Sequence, residues 1–366
     1  MLCRLKSRPQ VIKANPLPYW VVFSGIQPTG VPHLGNYLGA LREWVRLQDG
    51  AGPDTTLLYS VVDLHAITVP QRAAELRRQR REMLAALVAV GLDPERSAIF
   101  YQSSVPAHTE LMWILSCTAS MGYLSRMTQW KSKLSLSEDA SALDEKAKAA
   151  LKLGLFSYPV LQAADIMVHR ATHVPVGEDQ KQHIEFAREC ATNFNATYGS
   201  AVLVPPETIL SPARRVMSLT QPTSKMSKSD TNPSSRVLLT DTPEQIKNKI
   251  MRALTDSLTD HIAHDPEQRP GVSNLLEILT ILEGNETRTP AQMAQDFDGV
   301  QHPLKSLKQR TVDAVVREMG DVRERYRELL GKRDGAWLDE IEAVGAEKAR
   351  ANADVTMRLV KEAVGF

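Results

Sequence analysis

The chain has 366 residues, 43% of them hydrophobic and 24% charged, with a net charge of +1. That composition excludes a disordered chain, and its charge balance gives no general affinity for nucleic acid, so any such surface has to be local. Cys3, Cys117 and Cys190 are far apart and form no Cys-x-x-Cys spacing, which argues against a disulfide framework or a cysteine-rich zinc site.

The first acidic residue is Glu43, whereas Arg4, Lys6, Arg8 and Lys13 precede it. Residues 1–18 therefore read as a basic, acid-poor leader with the composition of an organellar transit peptide; the alternative is a frayed basic arm. "YWVVF" at 19–23 and "LLYSVVD" at 57–63 are short apolar runs rich in β-branched and aromatic residues, which predicts strands. Between them "NYLGALREWVRLQ" places Leu38, Leu41, Trp44, Val45 and Leu47 largely on one side of a helix. A second helix, "AAELRRQRREMLAALVAVGL", puts Leu76, Met83, Leu84 and Leu87 on one stripe and Arg77, Arg78 and Arg81 on a solvated face. Its apolar run from Met83 falls short of the roughly 18 residues a membrane span needs. "SSVPAHTELMWILSC" and "SYPVLQAADIMV" continue the pattern towards a strand at "AVLVP", 201–205. Strands alternating with helices predict a parallel sheet, hence an α/β domain over 19–241. Beyond Asp241 the segments "TPEQIKNKIMRALTDS", "GVSNLLEILTILEG", "LKQRTVDAVVREMGDVRERYRELL" and "AWLDEIEAVGAEKARANADVTMRLVKEAV" all read as helices, so 242–366 is predicted to be a helical domain.

Two stretches carry chemistry. "FSGIQPTGVPHLGNYLGAL" is a strand, a loop with Gly25, Gly30 and Gly35, and a helix start. Glycine lets backbone approach a ligand, and a helix N-terminus offers N–H groups to an anion, so the turn could cradle a nucleotide. It is neither the Gly-x-Gly-x-x-Gly fingerprint nor a P-loop, and a tight connection is the competing reading. "LTQPTSKMSKSDTNP", from Leu219, holds Lys225 and Lys228 among serines, and nothing in it reads as apolar enough to be buried. Two ammonium groups on such a loop suit adjacent phosphates, and their contacts strengthen if charge grows on a leaving pyrophosphate. His169 and His173, with His183 nearby, have the spacing of a helical metal pair, but "VHRATHVP" is a poor helix and no metal is read there.

These stretches resemble a known family. "HLGN" at 33–36 resembles the first signature of the class I aminoacyl-tRNA synthetases, and "KMSKS" at 225–229 matches the second. Asn36 departs from the general histidine and is similar to the Gly-Asn ending of the tryptophanyl-tRNA synthetases. "SGIQPTG", "VVDLHAIT", "SYPVLQAADIM", "VPVGEDQKQHIE" and "PGVSNLL" extend the resemblance over about residues 20 to 366. It implies a Rossmann-like catalytic domain ending after the lysine loop, and a helical tRNA-binding domain whose last helix packs back on it. The implied reaction is ATP- and Mg²⁺-dependent formation of tryptophanyl-adenylate, then transfer to tRNA(Trp). The resemblance also implies a homodimer and, given the leader, a mitochondrial matrix location with the cytoplasm as alternative; the helix of Leu111, Met112, Trp113 and Leu115 is the candidate interface, with ordinary core as the competing reading. A tyrosine-specific synthetase and a non-catalytic RNA-binding relative are the competing readings.

Residue by residue, the resemblance gives Asp165 the indole N–H, which needs an acceptor when buried. Phe23, Ile166, Val174 and Val176 would wall the ring, Tyr158, Gln180 and Gln27 would hold the ammonium and carboxylate, and His65 and Gln162 would lie beside them. Gln162 stands where many bacterial relatives have methionine. His33, Gly35 and Asn36 would meet the triphosphate and adenosine, and Lys225 and Lys228, with Met226 and Ser227 between them, would close over the terminal phosphates. Gln27, Gly177 and Asp179 would be further nucleotide contacts, and His33, Asn36, Lys225 and Lys228 would carry the catalysis.

Overall fold

The computed structural model describes residues 20–134, 137, 144, 150–177, 180–210, 215–228, 230–258, 260–283 and 287–366. The basic leader, Asp179 and Ser229 lie outside the described residues. Five strands form one sheet in the order β3-β2-β1-β4-β5: β1 Trp20–Ile26, β2 Thr55–Val61, β3 Ala98–Tyr101, β4 His173–Val176 and β5 Glu207–Leu210. Every pairing is parallel. Parallel neighbours cannot be joined by tight turns, and the crossovers here are helical. After β1 a turn at Leu34–Asn36 runs through a π-helical turn, Tyr37–Leu41, into α1, Arg42–Gly50. The later crossovers use α2 Ala73–Ala89, α3 Ala107–Ser116, α4 Leu153–Val168 and α5 Lys181–Thr197.

Side chains alternate across β1, so Val22 enters one apolar cluster while Val21 and Phe23 enter the other. Covered faces explain why the strands read as continuous apolar runs. The chain moves outward from β1 to β3 and then returns to β4 on the opposite side of β1. Such a reversal opens a crevice at the carboxyl ends of the two strands.

From Pro243 onward every regular element among the described residues is helical, including α6 Pro243–Met251, α7 Pro270–Glu283, α8 Pro303–Gly331 and α9 Ala336–Val364. Helix α8 packs on α2, and α9 returns to cover β3. Arg81 on α2 reaches Asp339 on α9 at 3.4 Å, so part of the predicted solvated face is an inter-helix contact, while Arg77 is exposed.

Two expectations need correction. The fifth strand is not 201–205: Asn195 binds both the amide and carbonyl of Leu203, and pairing starts only past Pro205 and Pro206, where Glu207 N–H reaches the Thr172 carbonyl. Helix α6 stops at Met251 rather than near 257, because the amide of Leu254 is taken by the carbonyl of Leu219. Leu111 and Leu115 are buried in the chain's own core, whereas Trp113 on the same helix is 73% exposed.

The seat of α9 depends on Gly345. A Cβ there would lie 2.0 Å from the carbonyl oxygen of Ile99, so helix backbone rests directly on strand backbone. Gly345→Ala is expected to cost about 3 kcal/mol in urea unfolding through overpacking. Gly320→Ala, within α8 where a Cβ meets nothing within 4 Å, is expected to add about 0.5 to 1 kcal/mol by helix propensity.

Candidate active site

The crevice at the carboxyl ends of β1 and β4 is a cavity of about 380 Å³. Phe23, Gln27, His65, Tyr158, Gln162, Asp165, Ile166, Val174, Val176 and Gln180 all line it, as do Gly177, Gln129 and Lys133. Its apolar side comes from β1, α4 and β4. The polar groups are few and tied: the Tyr158 hydroxyl lies 2.9 Å from both Gln129 Oε1 and His183 Nε2, and Gln162 Nε2 lies 3.4 Å from Gln180 Oε1.

Asp165, on α4, is 1% exposed. Its Oδ1 accepts from Gln102 Nε2 and from His108 Nδ1, each at 2.7 Å, and its Oδ2 accepts from His65 Nε2 at 2.7 Å. Burial pushes this carboxyl up, but the hydrogen bonds and charges of His108 and His65 outweigh it and hold the group well below the usual carboxylate range. A carboxylate offers about four lone-pair sites, so one remains, on Oδ2, at the cavity wall. The family motifs flagged Asp165 and His65 but not Gln102 or His108, which stand among other polar residues on the segment after β3.

A second cavity of about 640 Å³ adjoins the first, and Ile26 and Gln27 line both. Thr29, His33, Asn36, Lys225, Met226, Ser227 and Lys228 complete its described lining. Gly177 faces the first cavity only. "HLGN" is a reciprocal helix cap: the Asn36 amide donates to His33 Nδ1 and the His33 amide donates to Asn36 Oδ1, each at 3.2 Å. A Cβ at Gly35 would come within 3.0 Å of the His33 ring, so glycine is what lets that ring stay in place. Burial, then the charges of Lys228, Lys225 and Arg236, lower the His33 pKa to about 3. The ring is therefore neutral, and with Nδ1 accepting, its proton sits on Nε2.

The lysine loop is anchored rather than loose. Met226 is 2% exposed and Leu219 2%, both in the core, which corrects the expectation that nothing in this stretch is buried. Met226 N–H bonds the Val216 carbonyl, and Asn274 on α7 holds Met217 by both its amide and its carbonyl. Asn274 belongs to "PGVSNLL", and its function as a loop anchor was not read from sequence. The backbone around 237–239 ties the loop to the His33 segment through Leu34 N–H to the Val237 carbonyl and Leu239 N–H to the Pro32 carbonyl. Lys228 Nζ donates to the Gly30 carbonyl at 2.8 Å, and burial lowers its pKa to about 8. The three histidines of the apparent metal spacing diverge: His169 caps α4, His173 stacks on Trp20 at 3.9 Å, and His183 bonds Tyr158.

Residues 18–318 match the family described as tRNA synthetases class I (W and Y). The mitochondrial tryptophan–tRNA ligase of Schizosaccharomyces pombe is 44% identical over 96% of each chain. The chain belongs to the tryptophanyl-tRNA synthetases. Among solved structures, the Mycoplasma pneumoniae tryptophanyl-tRNA synthetase superposes with a TM-score of 0.79 at 30% identity, covering 95% of this chain and 98% of that one. The Campylobacter jejuni enzyme, complexed with ADP and tryptophan, superposes at 0.74 and 30% identity, covering 94% and 100%. The synthetase therefore shares with these proteins the sheet, the crevice and the helical part in one arrangement.

The buried histidines of this synthetase give its stability a pH dependence. His33 and His169 both have pKa values lowered to about 3, His169 by burial and then by His108. The unfolded chain takes up these protons near pH 6.5 and the folded one does not, so their stabilisation is present above that pH and lost as pH falls towards 3. Asp165 adds loss only below about pH 4, where its unfolded form protonates. Urea unfolding between about pH 6 and pH 4.5 is expected to weaken steadily, and His33→Gln to reduce the slope by about 1.4 kcal/mol per pH unit.

Proposed function

We propose that the protein ligates L-tryptophan to tRNA(Trp) in two steps. The tryptophan carboxylate attacks the α-phosphorus of ATP and expels pyrophosphate; the adenylate then passes its tryptophanyl group to the terminal ribose of the tRNA. The observation that carries the substrate assignment is the single remaining acceptor site on buried, ionised Asp165. Indole is a donor-only group, and a cavity with apolar walls and a carboxylate that retains an unfilled lone pair suits it. Phe23, Ile166, Val174 and Val176 then wall the ring, with Gln162 beside it, while Tyr158, Gln27 and Gln180 take the ammonium and carboxylate. Gln27 lines both cavities, which supports placing the carboxylate where the two meet.

ATP occupies the second cavity in this reading. His33 offers a neutral Nε2–H donor, Asn36 and Gly35 shape the helix start beside it, and Lys225 and Lys228 neutralise pyrophosphate, with Met226 and Ser227 carrying them. Gly177, read as a nucleotide or pocket contact, lines the tryptophan cavity. Such a step needs positioning and charge stabilisation rather than a protein nucleophile. The described lining of this cavity has no carboxylate, so Mg²⁺ enters as the MgATP substrate, held on its phosphates. Residues 19–241 form the catalytic domain and 242–366 the helical domain that reads the anticodon. The enzyme acts as a homodimer with tRNA across both subunits, a reading supported by the exposed Trp113. The leader composition and the mitochondrial relative support work in the mitochondrial matrix.

The substrate assignment is tested with Asp165→Asn. Gln102 and His108 would keep the amide oxygen, turning its NH₂ towards the indole N–H, two donors face to face. Tryptophan should lose about 1.5 to 3 kcal/mol in kcat/KM by pyrophosphate exchange, and discrimination against N-methylated indole should shrink in parallel. Equal discrimination by wild type and variant would show that Asp165 does not face the indole nitrogen.

Lys228→Ala is expected to raise the barrier to adenylate formation by about 2 to 4 kcal/mol while leaving tryptophan affinity unchanged. The lowered Lys228 pKa means that kcat/KM for ATP should decline as pH rises through about 8, a limb that Lys228→Arg removes. An unchanged rate of adenylate formation in single-turnover kinetics would make the loop a mere linker.

A further inference from the structure

Hydrogen bonds continue behind Asp165, away from the cavity, in an unbroken file. His108 Nδ1 lies 2.7 Å from Asp165 Oδ1, His108 Nε2 lies 3.3 Å from His169 Nε2, and His169 Nδ1 lies 2.8 Å from Asn352 Oδ1. The file runs from α3 through the end of α4 to α9, and Asn352 is 183 residues from His169 in the chain. Donor chemistry gives it a direction. An amide oxygen only accepts, so His169 donates from Nδ1; neutral imidazole then presents a lone pair at Nε2, and His108 must donate to it from its own Nε2. His108 thus donates from both ring nitrogens, which makes it, in the file as drawn, the imidazolium partner of the Asp165 carboxylate, with Nδ1–H aimed at Oδ1.

Packing does not require this file. His108 is 0% exposed, and His169 and Asp165 are 1% exposed, inside an otherwise apolar cluster. The Phe23 ring lies 5.6 Å from that of His169, and the Phe100 ring 6.1 Å from that of His108. Polar groups so buried carry a desolvation penalty that apolar side chains of the same volume avoid. The file also starts at the cavity wall, where a purely structural network has no reason to start. With Oδ1 filled by Gln102 and His108, the carboxylate is held against turning, and its unfilled lone pair stays on Oδ2.

We propose that His108, His169 and Asn352 are positioning residues for the specificity carboxylate Asp165, so that the C-terminal helix α9 takes part in selecting tryptophan. This rests on the reading of Asp165 as the acceptor of the indole N–H. Without the oxygen of Asn352, His169 can adopt its other tautomer and present Nε2–H to His108, whose Nε2 must then accept; His108 keeps Nδ1–H on Asp165 but gives up its second proton, and the carboxylate loses a charge-assisted partner.

The test compares Asn352→Leu and Asn352→Asp, similar in shape and opposite in acceptor capacity, by pyrophosphate exchange with tryptophan and with 1-methyltryptophan, which lacks the indole N–H. Asn352→Leu is expected to lower kcat/KM for tryptophan about tenfold, mainly through KM, and to leave the methylated substrate unchanged, so that selectivity shrinks about tenfold. Asn352→Asp should stay within about threefold of wild type. A Leu variant that slows both substrates alike, or keeps the wild-type ratio, overturns the proposal while leaving the reading of Asp165 intact. A wild type that does not discriminate between the two substrates overturns both. Imidazole ¹⁵N NMR of the unsubstituted enzyme gives a readout independent of the variants' folding: His169 is expected as the Nδ1–H tautomer, and the Nε2–H tautomer would refute the file as drawn.

Discussion

An ionised carboxylate with 1% exposure is the constraint on which the rest of this site depends. Left alone in an apolar interior, such a group would take up a proton and cease to be a charged acceptor. Three donors keep Asp165 ionised, and each comes from a different place: His65 from the turn after β2, Gln102 from the turn after β3, and His108 from α3. All three are carried at or just beyond the carboxyl ends of parallel strands. The pocket is thus a product of strand order. If β2 and β3 lay elsewhere, the carboxylate would be unsupported, however well its own helix formed.

The second cavity is assembled on a different principle. Its charged groups sit on loops, and what fixes them is main chain: the clasp between Pro32–Leu34 and Val237–Leu239, and the grip of Asn274 on Met217. Buried Met226 sits between two lysines, so one side chain serves as the anchor while its neighbours reach the cavity. This division suits chemistry in which charge must be met at several atoms at once. The first cavity presents a rigid wall, whereas the second presents long cationic side chains on a pinned backbone.

Much of this was legible in the sequence because it is local. Periodicity finds helices such as Ala336–Val364 at their true bounds, and strand–helix alternation implies the parallel sheet. Many residues that line the two cavities fell within short motifs whose resemblance to a family is strong. What escaped is what depends on distant chain. "AVLVP" has the composition of a strand, yet Asn195 captures Leu203 and two prolines follow, so pairing is delayed to Glu207. Met226 looked exposed because its burial depends on Val216, Val237 and Leu239, none of them its helical or strand neighbour. Gln102, His108, Asn274 and Asn352 are single polar residues on ordinary helices and turns. Their side-chain partners lie 38 or more residues away, and no spacing rule announces them.

The close approach of Gly345 to Ile99 bears on how the molecule comes into being. A nascent chain emerges from its N-terminus, and the sheet with its cavity is translated long before the helix that covers β3. Until the codons of α9 are read, Phe100 and the apolar face around it lack Ala346, Ala349, Ala353 and Met357, and a long-range closure of this kind is the slow, aggregation-exposed part of folding. A ribosome that stops early therefore releases a product with an uncovered core, fit for capture by chaperones and proteases. Quality control of this enzyme is written into its chain order, with the finishing helix arriving last and sealing what was made first.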